Sequence, residues 1–353
     1  MWYAPHSGFS NQVGEFRNAA VAAALLNRTL VVPPVLDHHA VVLGSCPKFR
    51  VTDPASLRAA VWDHAMQLLL DRRYVSMGDI VDLSSIKSMV RTIDFRVFVS
   101  LWCGVDMRKT CFSQLCCAVS GGGSMPDDYN RCRSLLSGLG GSEKGPKNTE
   151  LLDKIEFLPF APEIMAAGKE FAKNNIKEPF LCAQLRLLDG QFKNHWKATF
   201  SALKEKLKAV ELEIKRNKTN GLIHMFIMTD LPPANWTKTF LANVATDEQY
   251  KLYTLKESDE LVLQTAEKLM AAEHGVRSGF LPKIIESTEK DCDPVQLPEI
   301  LLSIEESVCS CASLGFVGTA GSTIAGSIET MRKNNVCKLI YGKEFTTADS
   351  ARK

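Results

Sequence analysis

Long apolar runs, a strong net charge and grouped metal-binding side chains are all missing from this sequence. No run of about 18 apolar residues occurs, which excludes a membrane-spanning helix within these 353 residues. The formal net charge is only +2, so no overall basic field favours binding to nucleic acid. His38 and His39 have no cysteine or carboxylate at metal-ligand spacing, which argues against a zinc site.

A recognisable secretory leader is also missing, although other features indicate a luminal protein. The chain has 11 cysteines, more than a typical cytosolic protein needs. Three glycosylation sequons begin at Asn27, Asn217 and Asn235, and sequons are used only in luminal or secreted chains. We therefore expect glycosylation there, a location in the Golgi or ER lumen, and a membrane anchor in a segment upstream of this chain. The disulfide pairing stays open.

The second half of the chain alternates between strand and helix patterns. Residues 195–216 carry apolar side chains at helical spacing, and Leu222–Thr229 is an apolar run typical of a strand buried on both faces. Further strands are predicted at 180–187, 250–255, 314–318 and 337–341, and further helices at 259–273, 298–312 and 322–333. This alternation predicts the α/β class with a parallel sheet, and the length suits two domains, 1–165 and 166–353.

The first half is less regular. Helices are predicted at 11–27 and 54–72, with a β-prone segment at 28–32 between them. Residues 73–100 mix short strands and turns. Residues 118–149 contain seven glycines and little apolar periodicity, which predicts a long loop.

A turn near the N-terminus presents Asn11 where a sheet meets a helix. Gly8-Phe9-Ser10-Asn11-Gln12 is followed by the strand pattern Asn27-Arg28-Thr29-Leu30. These two motifs resemble the opening of the protein O-fucosyltransferases, especially their plant branch. The resemblance implies that Asn11 lies near the acceptor hydroxyl and the sugar. The alternative is an Asx-turn that only shapes the loop.

Arg186 follows a hydrophobic strand, in the segment Gln184-Leu185-Arg186-Leu187-Leu188-Asp189-Gly190. Ligands bind at the carboxyl ends of parallel strands, and a guanidinium group suits a diphosphate. The family pattern is His-x-Arg-x-x-Asp/Glu, which Arg186 and Asp189 match while Gln184 replaces the histidine. The resemblance assigns Arg186 to the β-phosphate and leaving oxygen of GDP-fucose, and makes it catalytic together with Asn11. The alternative is a structural Arg–Asp pair at a strand end.

A strand, small residues and then a helix occupy residues 316–327, a pattern that can hold phosphate. Ser322 and Thr323 match the hydroxyl positions of the family's diphosphate-binding segment, and Ile324 stands where many members have phenylalanine. The alternative is ordinary N-capping by Ser322 or Thr323.

Two acidic residues complete the predicted donor site. The resemblance places Glu306 near the guanine edge, although Glu305 leaves the register open and a solvated helix face is the alternative. Asp230 ends a strand as in the family, but its favoured interpretation is a cap on the short helix from Pro232 to Trp236.

The resemblance implies a GT-B-like fold, with two Rossmann-like domains and a cleft between them. Domain 1–165 would face the acceptor and domain 166–353 would bind GDP-fucose. The implied reaction is inverting, metal-independent transfer of fucose to a protein or cell-wall glycan hydroxyl, without a cofactor beyond the donor. Asp291-Cys292-Asp293 is interpreted as a loop, not a metal motif. No histidine or carboxylate is clearly placed as a base.

Two alternatives stay open at this point. One is a catalytically weakened relative that binds a glycan or protein, because Gln184 and Ile324 depart from the family pattern. The other is a transferase that uses a different GDP-sugar, because a fold does not fix the donor.

Overall fold

The computed structural model describes residues 1–36, 53–70, 73–103, 155–188, 192, 194–216, 221–275 and 300–337. The chain forms two compact units. Unit 1 consists of Met1–Ala161 and Ala266–Ile300, and unit 2 of Pro162–Thr265 and Leu301–Lys353. The chain thus returns to unit 1 before it completes unit 2. The division into domains 1–165 and 166–353 stays a prediction.

The described helices and strands follow in chain order. The helices are α1 (Phe9–Leu25), α2 (Pro54–Leu70), α3 (Met77–Ile80), α4 (Phe95–Cys103), α5 (Pro162–Phe171), α6 (Trp196–Arg216), α7 (Phe240–Thr246), α8 (Glu260–Ala272), α9 (Ile300–Ser310) and α10 (Thr323–Lys333). The strands are β1 (Leu30–Val32), β2 (Thr92–Asp94), β3 (Phe180–Leu185), β4 (Ile223–Thr229), β5 (Tyr250–Tyr253) and β6 (Gly315–Gly318). A π-helical turn at Ala172–Ile176 and a 3-10 turn at Pro233–Asn235 complete the regular structure of the described residues.

Unit 1 has a parallel sheet above an aromatic core. β1 and β2 pair in parallel. The N-terminal segment runs parallel beside β1, because Met1 donates to the Thr29 carbonyl and its own carbonyl accepts the N–H of Val31. Trp2 in this segment packs edge-on against Trp62 of α2, with ring centroids 5.5 Å apart. The segment therefore extends the sheet beside β1 at Met1 and is anchored by Trp2.

Helix α4 corrects the prediction of short strands and turns over residues 73–100. Its valines and phenylalanines favour strands by intrinsic propensity. Packing decides the outcome, because Phe95 and Phe98 are three residues apart on one helical face and both rings contact Trp62. Burial against this ring outweighs the local preference.

Unit 2 has a four-stranded parallel sheet in the order β5-β4-β3-β6. The predicted α/β class and parallel sheet are therefore confirmed. The predicted apolar face of α6 packs on one side of this sheet, with Phe200, Leu203, Leu207 and Val210 buried. Phe226 of β4 faces the other side, where it contacts Phe171. β4 is thus covered on both faces, as its continuous apolar run predicts.

Two disulfides tie the elements of unit 2 together. Cys182 of β3 is bonded to Cys309 of α9, with Cα atoms 5.2 Å apart. Cys311 is bonded to Cys337, with Cα atoms 4.9 Å apart. The first bond fixes the helix that carries Glu305 and Glu306 against the central strand β3.

Several predictions fall outside the described residues. These are the loop at 118–149, the strand at 337–341 beyond its first residue, the pair His38 and His39, and Asp291-Cys292-Asp293. Among the helices that the structure describes, none combines the length and apolar character needed to cross a membrane.

Candidate active site

Arg186 lies at the carboxyl edge of the sheet in unit 2, next to the loop that follows β6. Gln184 pairs with Gly318, so the chain beyond each strand emerges side by side. The backbone N–H of Arg186 donates to Oγ1 of Thr319 at 2.9 Å. Its guanidinium carbon lies 4.9 Å from the centre of the Phe192 ring. This edge is where ligands bind in open α/β sheets.

Thr319 and Gln184 lock the two segments together. Oε1 of Gln184 accepts the backbone N–H of Thr319 at 3.2 Å, and the Thr319 hydroxyl donates to the Gln184 carbonyl at 3.2 Å. Gln184 is only 3% exposed. Its amide thus has a structural role at the position where the family carries histidine, and its predicted contact with the donor stays a prediction.

Helix α10 begins beside this edge, and the hydroxyl of Ser322 lies at its start. Gly321 has a φ of +76°, in the left-handed region, and turns the chain into the helix. Ser322 is the N-cap residue, yet its side chain makes no capping hydrogen bond. Its Oγ is buried and has no hydrogen-bond partner among the described residues. The N-capping alternative is therefore wrong for Ser322.

The next two residues of this segment differ in exposure. Thr323, the first residue of α10, is exposed, and Ile324 is half-buried. The first N–H groups of a helix have no intrahelical acceptors and attract anions. The segment thus combines helix N–H groups with the Ser322 hydroxyl, which has no hydrogen-bond partner among the described residues.

Asp230 does not cap the 3-10 turn that follows it, which corrects its favoured interpretation. The N-cap of that turn is Pro232. Asp230 instead accepts the N–H of Leu187 at 2.7 Å and that of Leu188 at 3.0 Å. Its carboxylate thus fixes the backbone just after Arg186.

Glu305 and Glu306 are both buried, 7% and 2% exposed, on α9. The solvated-face alternative for Glu306 is therefore wrong. Burial, and then the charge of Glu306, raise the pKa of Glu305 from 4.5 to about 8. The raised pKa favours the protonated form of Glu305 in the folded protein.

The other predicted site residues are placed as follows. Asp189 and the sequon residue Asn217 lie outside the described residues. Asn27 is exposed with a φ of +48°, and its carbonyl accepts from Nη2 of Arg91 at 3.1 Å. Asn235 is exposed at the end of its 3-10 turn. Glycosylation at the three sequons stays a prediction.

Asn11 is exposed in the first turn of α1, which begins at Phe9, two residues earlier than predicted. The adjacent Gln12 is 1% exposed and anchors this region. Its Nε2 donates to the carbonyls of Ser7 and Leu36 at 2.9 and 3.1 Å, and its Oε1 accepts the N–H of Leu36 at 3.0 Å. Gln12 thus holds the turn before α1 to the chain after β1.

Replacing Gln12 with leucine should lower the free energy of unfolding by about 2–3 kcal/mol. The change leaves a buried N–H and buried carbonyls without their partners, which costs more than the lost hydrogen bonds themselves. Urea unfolding followed by circular dichroism measures the effect. Gln264→Leu on the exposed part of α8 is the control, because its Nε2 donates only to Glu260 of the same helix. Equal stability of the Gln12→Leu and Gln264→Leu variants would contradict this role.

A buried polar cluster in unit 1 has no counterpart in the sequence analysis. Nε of Arg96 lies 2.9 Å from Oδ1 of the fully buried Asp94, and Asp79 accepts the N–H of Gly275 at 2.6 Å. Burial lowers the pKa of Arg96, but the charges of Asp94 and Asp79 outweigh it and the net shift is upward. Because these buried charges contact one another, we interpret the cluster as a structural one. Asp79 and Gly275 are distant in sequence, so no local pattern could reveal it.

Phe192 and Thr319 are the site residues of unit 2 that the sequence analysis missed. A threonine directly after the glycine that ends a strand is the only sequence signal for Thr319. Within the described ranges, no group of three or more histidine, cysteine, aspartate or glutamate side chains could hold a metal ion.

Comparison with known proteins places the chain among glycosyltransferases. No family model matches the chain. O-fucosyltransferase 30 of Arabidopsis thaliana is 43% identical, over 96% of this chain and 83% of that protein. A crystal structure of POFUT1 in complex with GDP-fucose has 11% identity and a TM-score of 0.45, over 94% of this chain and 93% of that chain. The fucosyltransferase NodZ from Bradyrhizobium has 12% identity and a TM-score of 0.38, over 94% and 91%.

The identity to the Arabidopsis protein extends over nearly the whole chain. The chain therefore belongs to the O-fucosyltransferase family, which confirms the resemblance and makes the protein a glycosyltransferase. Its fold is of the α/β class, with a parallel sheet in each of the two units.

Proposed function

We propose that this protein transfers fucose from GDP-fucose to a hydroxyl of a protein or glycan acceptor, with inversion and without a metal ion. One observation carries the proposal within this family. The Ser322 hydroxyl and the start of α10 lie at the same edge of the sheet as Arg186, and this hydroxyl is buried without a hydrogen-bond partner among the described residues. A buried hydroxyl without a partner costs free energy unless a ligand fills it, and helix N–H groups favour a phosphate there.

The donor diphosphate would be held by unit 2. Arg186 supplies a cation whose guanidinium carbon lies 4.9 Å from the centre of the Phe192 ring, and its backbone is held by Thr319. The guanidinium group neutralises the charge that develops on the β-phosphate as the bond to the sugar breaks. This positive charge performs the task that a metal ion performs in other transferases, so the proposal needs no cofactor beyond the donor.

The remaining predicted residues take secondary roles in the donor site. Thr323 adds an exposed hydroxyl next to Ser322, and the half-buried Ile324 follows it in α10. Asp189 lies in the segment after Arg186, and Gln184 positions the loop through Thr319. The buried Glu306 would read the guanine edge, because a carboxylate can accept two N–H bonds from guanine.

The acceptor would meet Asn11, whose exposed amide can orient a hydroxyl in the first turn of α1. An amide cannot take up a proton at neutral pH, so Asn11 positions the acceptor and does not deprotonate it.

A location in the Golgi or ER lumen agrees with the chemistry of the chain. Four cysteines of unit 2 are joined in two disulfides, and such bonds persist in oxidising compartments. Exposed sequon asparagines at positions 27 and 235 are compatible with glycosylation in that compartment.

The replacement of the family histidine by Gln184 is not evidence of a decayed site. The Gln184 amide makes a specific bond to Thr319, and Arg186 is retained beside it. This favours an active transferase over a weakened binding protein. The choice of fucose over another GDP-linked sugar is tested by competition between GDP-fucose and GDP-mannose for the same site.

Replacing Ser322 with alanine should weaken GDP binding by about 10- to 100-fold, because a hydrogen bond to a charged phosphate is lost. The same change should leave the unliganded protein equally or more stable, because it removes a buried hydroxyl that has no partner among the residues that the structure describes. Calorimetric titration with GDP and thermal unfolding without ligand measure the two effects.

Ser327→Ala, four residues after Thr323 on the same helix, is the matched control and should change neither quantity. Unchanged GDP affinity in Ser322→Ala would contradict the proposed diphosphate site. Absence of GDP binding by the folded wild-type chain would contradict the proposed function.

A further inference from the structure

His6 and Glu15 are in direct contact at the start of unit 1, close to Asn11 in the fold. One oxygen of the Glu15 carboxylate, Oε2, accepts the backbone N–H of His6 at 2.9 Å. The other oxygen, Oε1, lies 2.9 Å from Nδ1 of the His6 ring. One carboxylate therefore holds both the backbone and the imidazole of the same residue. The side chains are 18% and 26% exposed, so the pair is packed but reaches the surface.

The loop that carries His6 is tied to α1 by hydrogen bonds. Ser7 has a φ of +68°, in the left-handed region that serine rarely adopts. Its carbonyl accepts from Nε2 of the buried Gln12 at 2.9 Å, and its Oγ lies 3.0 Å from Nδ1 of His6. A strained backbone fixed by a buried side chain is a common device for orienting a reactive group.

The carboxylate also selects the protonation state of the ring. A neutral imidazole carries its proton on one nitrogen, and the acceptor beside Nδ1 places the proton there. The basic lone pair is then on Nε2 of His6. When Nε2 takes up a second proton, the Glu15 carboxylate stabilises the resulting imidazolium. This is the arrangement by which a carboxylate orients a histidine base in other enzymes.

The pair shares a helical face with Asn11. Asn11 and Glu15 are four residues apart on α1, so their side chains lie one turn apart on the same side of the helix. The loop with His6 leaves the carboxyl end of the N-terminal segment, which runs parallel to β1. This edge of the sheet is the ligand-binding edge of an α/β unit.

We infer that His6 is the general base that deprotonates the acceptor hydroxyl, and that Glu15 is its positioning residue. The inference rests on the proposed function, for which it supplies the missing base. The acceptor O–H proton passes to Nε2 of His6, and the acceptor oxygen forms the new bond to C1 of fucose. The bond from C1 to the β-phosphate oxygen breaks, and its electron pair leaves with GDP.

Hydrolysis of GDP-fucose tests the inference with water in the place of the acceptor hydroxyl. GDP release is measured for the wild type and for His6→Gln, which keeps a polar side chain but cannot take up the proton. We expect kcat to fall by about 10²–10⁴-fold, the usual contribution of a general base, while the Kd for GDP stays unchanged. Added imidazole should restore part of the activity of a His6→Ala variant.

Glu15→Gln separates a positioning role from a structural one. The amide oxygen still accepts the His6 backbone N–H, but the negative charge is lost. We expect kcat to fall with an unchanged KM for GDP-fucose, and NMR of the imidazole nitrogens to show His6 losing its preference for the proton on Nδ1. Glu267→Gln at an exposed position of α8 is the matched control, and should match the wild type in turnover and melting temperature.

The two proposals fail in different ways. A folded wild-type chain that does not bind GDP contradicts the proposed function itself. A wild-type level of GDP release in His6→Gln, with GDP bound normally, overturns only the inference. Failure of imidazole to rescue His6→Ala, or a wild-type imidazole with its proton on Nε2, also counts against the base.

Discussion

Replacing Arg186 with alanine is expected to lower the turnover of GDP-fucose by about 10²–10³-fold, the range seen when one preorganised donor to a developing negative charge is removed. The guanidinium group is held near Phe192, and its backbone is fixed by Thr319 and by the Asp230 bonds to the next two residues. A group held in this way needs little reorganisation as the charge on the leaving phosphate grows. We therefore expect the loss in kcat to exceed the loss in GDP affinity.

Arg186→Lys tests whether a positive charge alone is sufficient for GDP binding and for turnover. Lysine keeps the positive charge but has neither the forked donors nor the planar group that stacks on an aromatic ring. We expect it to recover GDP affinity more than turnover. Arg216→Ala, at the exposed end of α6, is the control for removing one arginine from the same unit. Neither Arg186→Ala nor Arg186→Lys removes the hydrogen bond from the backbone N–H of residue 186 to Thr319, so we expect both variants to fold.

The result that contradicts this role is equal turnover in Arg186→Ala and Arg216→Ala. A fall in GDP affinity with unchanged turnover of bound GDP-fucose would assign Arg186 to binding alone. GDP release at saturating donor, together with calorimetric titration of GDP, distinguishes these outcomes.

Much of unit 2 could be predicted because its local patterns agree with its packing. The apolar face of α6 is stable when it packs on a sheet, and the continuous apolar run of β4 is stable when both faces of the strand are covered. Both arrangements are present in the structure. Helix α4 could not be predicted, because its strand-favouring residues become helical only in contact with Trp62. The disulfide between Cys182 and Cys309 could not be predicted either, because the two residues are 127 positions apart.

The candidate site divides in the same way. Arg186 and Ser322 could be found from the sequence because each follows a predicted strand. In a parallel sheet, residues that follow the strands lie at the ligand-binding edge. The pair of His6 and Glu15 is not visible, because a loop residue and a helix residue nine positions apart meet only when the turn between them is known. Asp230 shows the limit of a local rule, since the loop after Arg186 attracts its carboxylate more strongly than the nearby helical turn.

Wild-type protein is expected to lose more stability between pH 5 and pH 9 than a Glu305→Gln variant. The folded-state pKa of Glu305 is raised from 4.5 to about 8, first by burial and then by the charge of Glu306. The folded protein therefore holds a proton that the unfolded chain releases over this range. Because the folded state binds more protons there, its stability falls as pH rises from about 4.5 to 8 and is constant again above that window.

The shift sets an upper limit of about 5 kcal/mol on this loss, from about 1.4 kcal/mol for each pH unit of the window. Glutamine has the shape of the protonated carboxyl group and does not titrate. Glu305→Gln should thus match the wild type near pH 5 and be several kcal/mol more stable than it near pH 9. Other titrating groups are common to both proteins and cancel in the difference.

Urea unfolding of both proteins at constant ionic strength, in steps from pH 5 to pH 9, measures this difference. Glu329→Gln, at an exposed position of α10, should follow the wild type at every pH. A difference between wild type and Glu305→Gln that does not change with pH would mean that Glu305 is ionised in the folded state. Two adjacent carboxylates would then be buried on α9 at neutral pH.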